Sequence, residues 1–209
     1  MRVLIADDHA VVRRGLKEIL TDEFGRCTFG EAKTSQEAFI QAQKQDWDLV
    51  ILDIAMPGKS GLELLGDLKQ IWPHVPVLIL SVYSEEQFAR RALKGGAAGY
   101  LTKESVPEEL VKAVRKVLGG GRYISTSLAE KLAWDLAASG DKPLHELLSD
   151  REFQVFRMIA SGKAVKEIAN ELALSVKTVS TYRGRILDKT GMRNNAELIR
   201  YAVQNHLVE

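Results

Sequence analysis

The chain has 209 residues, 45% of them hydrophobic and 27% charged, the mix of a soluble globular protein with room for one large domain or two ordinary ones. No apolar run approaches the length of a bilayer-spanning helix, and a single cysteine, Cys27, excludes an internal disulfide and suits a reducing cytosol. The net charge of +1 conceals an asymmetry. Residues 1–110 carry 13 Lys and Arg against 17 Asp and Glu, a net of −4, whereas residues 149–209 carry 10 against 7, a net of +3. Residues 177–200 alone hold six basic and two acidic side chains. An ordinary solvated surface accounts for so small an excess, although an acidic front and a basic tail also fit two domains with different partners.

The opening run Met1–Ala6 is too short for a signal peptide and meets Asp7 and Asp8 instead of a small-residue cleavage site, so a cytoplasmic location is expected. The following residues alternate short apolar runs with amphipathic stretches of helix length. Strands are expected at Val3–Ala6, Cys27–Glu31, Leu49–Asp53, Val77–Ser81 and Gly99–Leu101. The third and fourth are apolar almost throughout, as parallel strands buried on both faces are. Helices are expected at Ala10–Asp22, Ser35–Gln45, Gly61–Trp72, Glu85–Lys94 and Val106–Leu118, with capping boxes pairing Thr34 with Glu37, Ser60 with Glu63, Ser84 with Gln87 and Ser105 with Glu108. Five such repeats predict an α/β, doubly wound, five-stranded parallel sheet over residues 1–121, with its functional crevice at the carboxyl ends of the strands. Gly119-Gly120-Gly121 then breaks the pattern. Residues 122–147 read as a linker with its own helix, Ser127–Ala138, and residues 148–209 as an all-α unit of four helices, Asp150–Ala160, Val165–Leu172, Val176–Thr190 and Ala196–His206.

Polar groups gather where the strands end: Asp7 and Asp8 after the first, Asp53 on the third, Ser81 on the fourth and Lys103 beyond the fifth. Carboxylates this close repel one another, which raises a pKa or recruits a hard cation, and Mg2+ favours oxygen ligands of this kind. A carboxylate there can act as nucleophile toward a phosphoryl group whose oxygens Lys103 and Ser81 would contact. Taken singly, each residue has a blander use, as a loop carboxylate, a helix cap or a solvated lysine; their joint placement is what points to a site. His9 reads as a surface or capping residue and not as a metal ligand.

The motifs Ile5-Ala6-Asp7-Asp8-His9, Leu52-Asp53-Ile54-Ala55-Met56-Pro57-Gly58, Ser60-Gly61, Ser81 and Gly99-Tyr100-Leu101-Thr102-Lys103 closely resemble the flavodoxin-like receiver domain of two-component response regulators. That resemblance spans residues 1 to about 120. It implies that Asp53 is the phosphoacceptor and that Asp7, Asp8, Asp53 and the carbonyl of Ala55 hold Mg2+. It also implies that Ser81 and Tyr100 form the switch with Lys103, and that a cognate histidine kinase donates the phosphoryl group. In receivers the side chains two beyond the acceptor and two beyond the hydroxyl flank the path of hydrolytic water. Here they are Ala55 and Tyr83, which implies slow self-dephosphorylation.

In the tail, Ala173-Leu174-Ser175 joins two helical stretches at helix-turn-helix spacing, with Ser175 placed to cap the second. On that second helix Lys177, Ser180, Thr181, Gly184 and Asp188 share a polar face, opposite Val179, Ile186 and Thr190. Gly184 costs a helix about 1 kcal/mol against alanine, which close approach to a DNA groove or close helix packing would explain. Leu148-Ser149-Asp150-Arg151-Glu152, Lys166-Glu167-Ile168-Ala169, Leu174-Ser175-Val176-Lys177-Thr178-Val179 and Lys189-Thr190-Gly191 resemble the LuxR-type domain of the NarL/FixJ subfamily, Val165 being a departure from its usual small polar residue. Ser180, Thr181 and Gly184 are expected nearest base edges of double-stranded promoter DNA. Lys166, Lys177, Thr178, Tyr182 and Arg185 are expected on phosphates, and Arg183 either there or paired with Glu167. Leu198, Ile199, Tyr201, Ala202 and Val203 supply apolar surface for the domain core and for a homodimer like that of the related family, with no membrane partner. Two alternatives share some of these features. A Mg2+-dependent phosphotransferase would use the same carboxylates, but Gly95-Gly96-Ala97-Ala98-Gly99 lacks the lysine of a phosphate-binding loop. An adaptor whose tail binds protein would lack the steep salt dependence of DNA binding.

Overall fold

A computed structural model describes residues 1–82, 85–126, 128–130 and 143–208, with backbone alone for 85–87. The chain divides into two compact units, Met1–Ala138 and Ser139–Glu209.

In the first unit five parallel strands, β1 (Arg2–Ala6), β2 (Thr28–Ala32), β3 (Leu49–Asp53), β4 (Val77–Ser81) and β5 (Gly99–Thr102), lie in the order β2-β1-β3-β4-β5. The helices are α1 (Ala10–Phe24), α2 (Ser35–Ala42), α3 (Gly61–Ile71), α4 (Glu85–Lys94) and α5 (Val106–Leu118). Alternation along the strands sends Val3, Ile5, Leu49, Ile51, Leu78, Leu80 and Leu101 to one face, where they pack with Leu16 and Leu20 of α1 and Leu110, Val114 and Val117 of α5. The intervening Leu4, Val50, Leu52, Ile79 and Tyr100 are buried on the other face. Every residue of β3 and β4 is buried, which is why those runs carry no polar alternation. All five strands run the same way, so their carboxyl ends share one edge.

Ser60 and Glu63 form the expected capping box on α3. Thr34 caps α2 by accepting from the Glu37 N–H, but the Glu37 carboxylate accepts from Lys33 N instead of closing the box. The Ser105 box on α5 does not form. Ser105 is already helical and its hydroxyl donates to the Thr102 carbonyl, so the turn after β5 has taken the group that would have capped. Tyr83, Ser84 and most of the expected linker helix Ser127–Ala138 lie outside the described residues.

The start of the segment after α5 is sewn to β5. Tyr123 N donates to the Ala98 carbonyl at 2.8 Å, and Tyr100 N donates to the Tyr123 carbonyl at 3.3 Å, extending the sheet by one bridge. The approach requires glycine: a Cβ on Gly99 would stand 2.7 Å from the Tyr123 carbonyl oxygen and 2.9 Å from Leu78 Cδ1.

The second unit begins with a short 3-10 turn, Leu144–Leu147, followed by α6 (Asp150–Ala160), α7 (Val165–Glu171), α8 (Val176–Thr190) and α9 (Asn195–Gln204). Phe153, Phe156, Ile168, Val179, Ile186, Leu198 and Ala202 form its buried centre. His145 on the 3-10 turn is 3.0 Å from the Tyr201 hydroxyl, tying that turn to α9.

Replacing Gly99 with alanine should destabilise the first unit by about 1–3 kcal/mol through overpacking. Gly15→Ala, on a helix position with open space around it, should be neutral or stabilising by up to about 1 kcal/mol. Urea unfolding distinguishes the two; equal effects would mean that Tyr123 yields without cost.

Candidate phosphorylation site and nucleic-acid interface

The shared strand edge brings Asp7, Asp8, Asp53, Ser81 and Lys103 together. Asp7 and Asp53 are almost wholly buried, whereas Asp8 remains exposed. Lys103 Nζ lies 2.7 Å from Asp7 Oδ2 and 2.7 Å from Asp53 Oδ2, a single ammonium shared by two carboxylates. Asp53 Oδ1 accepts from the Ala55 N–H at 3.1 Å, which orients the carboxylate. The main chain after Asp53 folds tightly onto the strand, with Gly61 N donating to the Ile54 carbonyl and no room for a side chain at Gly61 against the Asp53 backbone. Ser81 and Tyr100 are both fully buried, and the Lys103 N–H donates to the Ser81 carbonyl, joining the ends of β4 and β5.

Burial pushes the Asp53 carboxyl above its usual value. The Lys103 ammonium opposes that rise and the neighbouring Asp7 adds to it. For Lys103, burial disfavours the charge, but the two carboxylates outweigh it and the net direction is upward. The carboxylates therefore stand in a positive-charge deficit. Asp7 Oδ2 shows the same deficit in geometry: it is buried and close to Lys103, yet has no hydrogen bond of good geometry. Three oxygen-donor side chains with one such atom fit a hard divalent cation. Ligand atoms of Asp7, Asp8, His9 and Asp53 all lie within 4.8 Å of one another.

Two contributors were not evident from the sequence. Arg13, buried on α1, donates to the Asp7 carbonyl at 2.8 Å and pairs with Glu31 at 2.9 Å, clamping the β1 end. His9 stands at the N-cap of α1 but makes no side-chain cap; its Nδ1 is instead 2.7 Å from Asp8 Oδ1. Nothing in either residue's spacing marks these contacts, which depend on how α1 leaves the strand.

In the second unit, α7 and α8 are joined by a turn in which Ala173 takes the left-handed conformation, at φ 51°. Ser175 accepts from the Thr178 N–H at 3.0 Å and starts α8. Val179, Ile186 and Thr190 are buried, while Lys177, Ser180, Thr181 and Arg185 are exposed and Thr178, Tyr182 and Gly184 are half-buried. Lys166 on α7 is exposed. A Cβ at Gly184 would meet nothing within 4 Å, so packing inside the unit does not explain that glycine. The Thr181 hydroxyl donates to the Lys177 carbonyl at 3.0 Å, leaving it acceptor lone pairs to present outward.

The structure narrows two expectations. Arg183 pairs with Asn195 Oδ1 at 2.7 Å and not with Glu167, whose carboxylate accepts from Ala164 N. Of the five apolar residues expected to serve core and dimer together, Leu198 and Ala202 are fully buried inside the unit, and Tyr201 is half-buried with its hydroxyl against His145. Of these five, helical spacing leaves Ile199 and Val203, 37% and 50% exposed, on the outer face of α9.

The family model described as "Response regulator receiver domain" matches residues 3–115, and that described as "Bacterial regulatory proteins, luxR family" matches residues 146–202. The response regulator GacA of Pseudomonas protegens is 39% identical over 210 residues, covering 100% of this chain and 98% of the relative. The response regulator UvrY of Escherichia coli K12 is 35% identical over 208 residues, covering 99% and 95%. Among solved structures, RcsB of Salmonella enterica serovar Typhimurium, bound to promoter rprA with the phosphomimetic BeF3-, aligns with a TM-score of 0.64 and 28% identity over 96% of this chain and 98% of that one. A structure of two RcsB dimers bound to two parallel DNAs aligns at 0.60 and 28%, covering 97% and 98%.

An ion pair ties the end of α8 to α6. Glu152, buried in the first turn of α6, accepts from Ser149 N and from Lys189 Nζ at 2.6 Å, in the last turn of α8. Burial pushes this carboxyl up, but Lys189 and the Ser149 bonds outweigh it and hold it below the ordinary value of 4.5. Its stabilising effect is therefore complete above that value and is lost as pH falls through the lower folded pKa. The melting-temperature gap between wild type and Glu152→Gln should be widest near neutrality and narrow as pH falls below 4.5. A gap independent of pH would assign the loss to packing.

Proposed function

The chain belongs to the DNA-binding two-component response regulators that join a receiver domain to a LuxR-type helix-turn-helix domain, and from that premise we propose that phosphorylation of Asp53, in a Mg2+-dependent site, switches its control of transcription. The observation that carries this reading is the Lys103 ammonium shared between Asp7 and Asp53 at 2.7 Å each, beside the exposed carboxylate of Asp8. In this reading residues 1–121 receive the phosphoryl group, 122–147 form the linker and 148–209 read DNA.

Asp7, Asp8, Asp53 and the Ala55 carbonyl would hold Mg2+. When bound, Mg2+ neutralises charge on the phosphoryl oxygens and offsets the repulsion among the carboxylates. The Asp53 carboxylate forms the new O–P bond while the bond from phosphorus to the donor's leaving group breaks, the donor being a cognate histidine kinase. The Ala55 N–H fixes the carboxylate rotamer before attack. Lys103, freed of Asp53's negative charge once the acyl phosphate forms, pairs with phosphoryl oxygens, and Ser81 donates its hydroxyl to them. Tyr100 follows Ser81 in the switch, from the neighbouring strand β5. Ala55 brings no carboxylate or amide to orient hydrolytic water, which favours a long-lived phosphoryl group suited to gene control. The protein turns over no separate substrate; it is a transcription regulator that acts where the DNA is, in the cytoplasm.

Ser180, Thr181 and Gly184 of α8 would face base edges in the major groove. Lys166, Lys177, Thr178, Tyr182 and Arg185 would contact phosphates, the contacts that position without reading sequence. Ile199 and Val203 supply a self-complementary patch for a homodimer on inverted half-sites. Domain release, receiver pairing, or both would link the two ends of the chain.

Asp53→Asn should abolish labelling by acetyl phosphate, because an amide is a poor nucleophile; labelling at the wild-type rate would remove Asp53 from the role. Lys177→Glu should weaken binding to any duplex and reduce the salt slope by about 1 for each phosphate no longer neutralised, whereas Thr181 changes should mainly shift sequence preference. Fluorescence anisotropy across a salt series reads both, and wild-type affinity in Lys177→Glu would mean that α8 is not the reader.

A further inference from the structure

His9 is the nitrogen donor in the carboxylate cluster. Its Nδ1 lies 2.7 Å from Asp8 Oδ1 and 3.2 Å from Asp7 Oδ1. Adjacent ligands of an octahedral ion with bonds of about 2.1 Å stand about 3 Å apart. The imidazole nitrogen is thus already at ligand spacing from both carboxylates. Neither the core nor a side-chain cap holds the ring there; its contacts are with the two carboxylates, at hydrogen-bond distance. The side chain is 61% exposed, and although His9 occupies the N-cap of α1 in extended conformation, it makes no cap hydrogen bond. The Asp7 N-terminal clamp is provided by backbone: His9 N donates to Asp7 Oδ1 at 2.8 Å, a bond that any residue at this position would supply.

We propose that His9 is a further protein ligand of the cation site and tilts its preference from Mg2+ toward first-row transition ions such as Co2+. The inference rests on the reading of Asp7, Asp8 and Asp53 as a cation site. Carboxylates, carbonyls and water suit Mg2+, which gains little from nitrogen, whereas imidazole adds affinity for the borderline ions, increasingly from Mn2+ to Co2+ and Ni2+. Binding through Nδ1 leaves the ring hydrogen on Nε2 and exchanges the His9–Asp8 contact for two bonds to one ion.

Calorimetric titration of the full-length protein with Co2+ and, separately, with Mg2+ tests this, with the visible absorption of bound Co2+ as a second readout. His9→Ala should lower Co2+ affinity by about tenfold or more and leave Mg2+ affinity within about twofold. His9→Asn, which keeps a favourable helix start, should lose the nitrogen contribution to the Co2+ spectrum in the same way. If both ions bind wild type but their affinity ratio is unchanged in His9→Ala, or both affinities fall together, the ligand role is overturned. If neither ion binds wild type, the cation-site reading itself fails.

Discussion

Like charges held at one edge of a buried sheet repel, and Lys103 is the group that lets them remain there. Asp7 directly follows β1 and Asp53 ends the adjacent β3, and the register, with Ala6 opposite Leu52, places the two side by side. Burial removes the water that would otherwise screen the pair, and it pushes the Asp53 carboxyl toward its neutral form. One ammonium at 2.7 Å from both offsets part of that cost. The remainder is a poised electrostatic deficit, relieved by whatever positive charge enters the site. Under the proposed phosphorylation the same charges would be redistributed, and the Lys103 N–H bond to the Ser81 carbonyl would couple that change to the ends of β4 and β5. The bridge from β5 to Tyr123 carries that strand's environment into the segment that leaves the receiver.

The DNA-binding unit solves a different problem, that of presenting a polar helix on a small core. The proposed reading helix, α8, is anchored by Val179 and Ile186 beneath it, by the Glu152–Lys189 pair at its end and by Arg183 on Asn195. Its outward face can then be bare, with Gly184 opening onto empty space instead of onto a neighbouring helix. Rigidity beneath and a missing side chain above are what close approach to a groove requires.

The periodicity of the chain was sufficient for the sheet, because β3 and β4 are apolar up to their last residues and the helices between the strands are amphipathic; the bounds of α4, α5, α6 and α8 coincide with expectation. The acidic cluster was legible because strand ends are visible in sequence and the strands are parallel. What escaped were contacts set by side-chain reach: Arg13 turning back to the Asp7 carbonyl, and His9 leaning on Asp8 instead of capping α1. The same limit affects the last helix, where an apolar run gives no sign of which residues face inward until the neighbouring helices are in place. Ser105 failed as a cap for a local reason, since Thr102 claimed its hydroxyl first.

Lys103 is shared by Asp7 and Asp53 alike, and what sets the proposed phosphoacceptor Asp53 apart is the Ala55 N–H that fixes its carboxylate. Borohydride reduction of the acetyl-phosphate-treated protein converts an aspartyl phosphate to homoserine, and tandem mass spectrometry then locates the modified residue. The account predicts homoserine at position 53, dependent on divalent cation, with Asp7 and Asp8 unmodified. Modification at Asp7 or Asp8, with Asp53 intact, would contradict it.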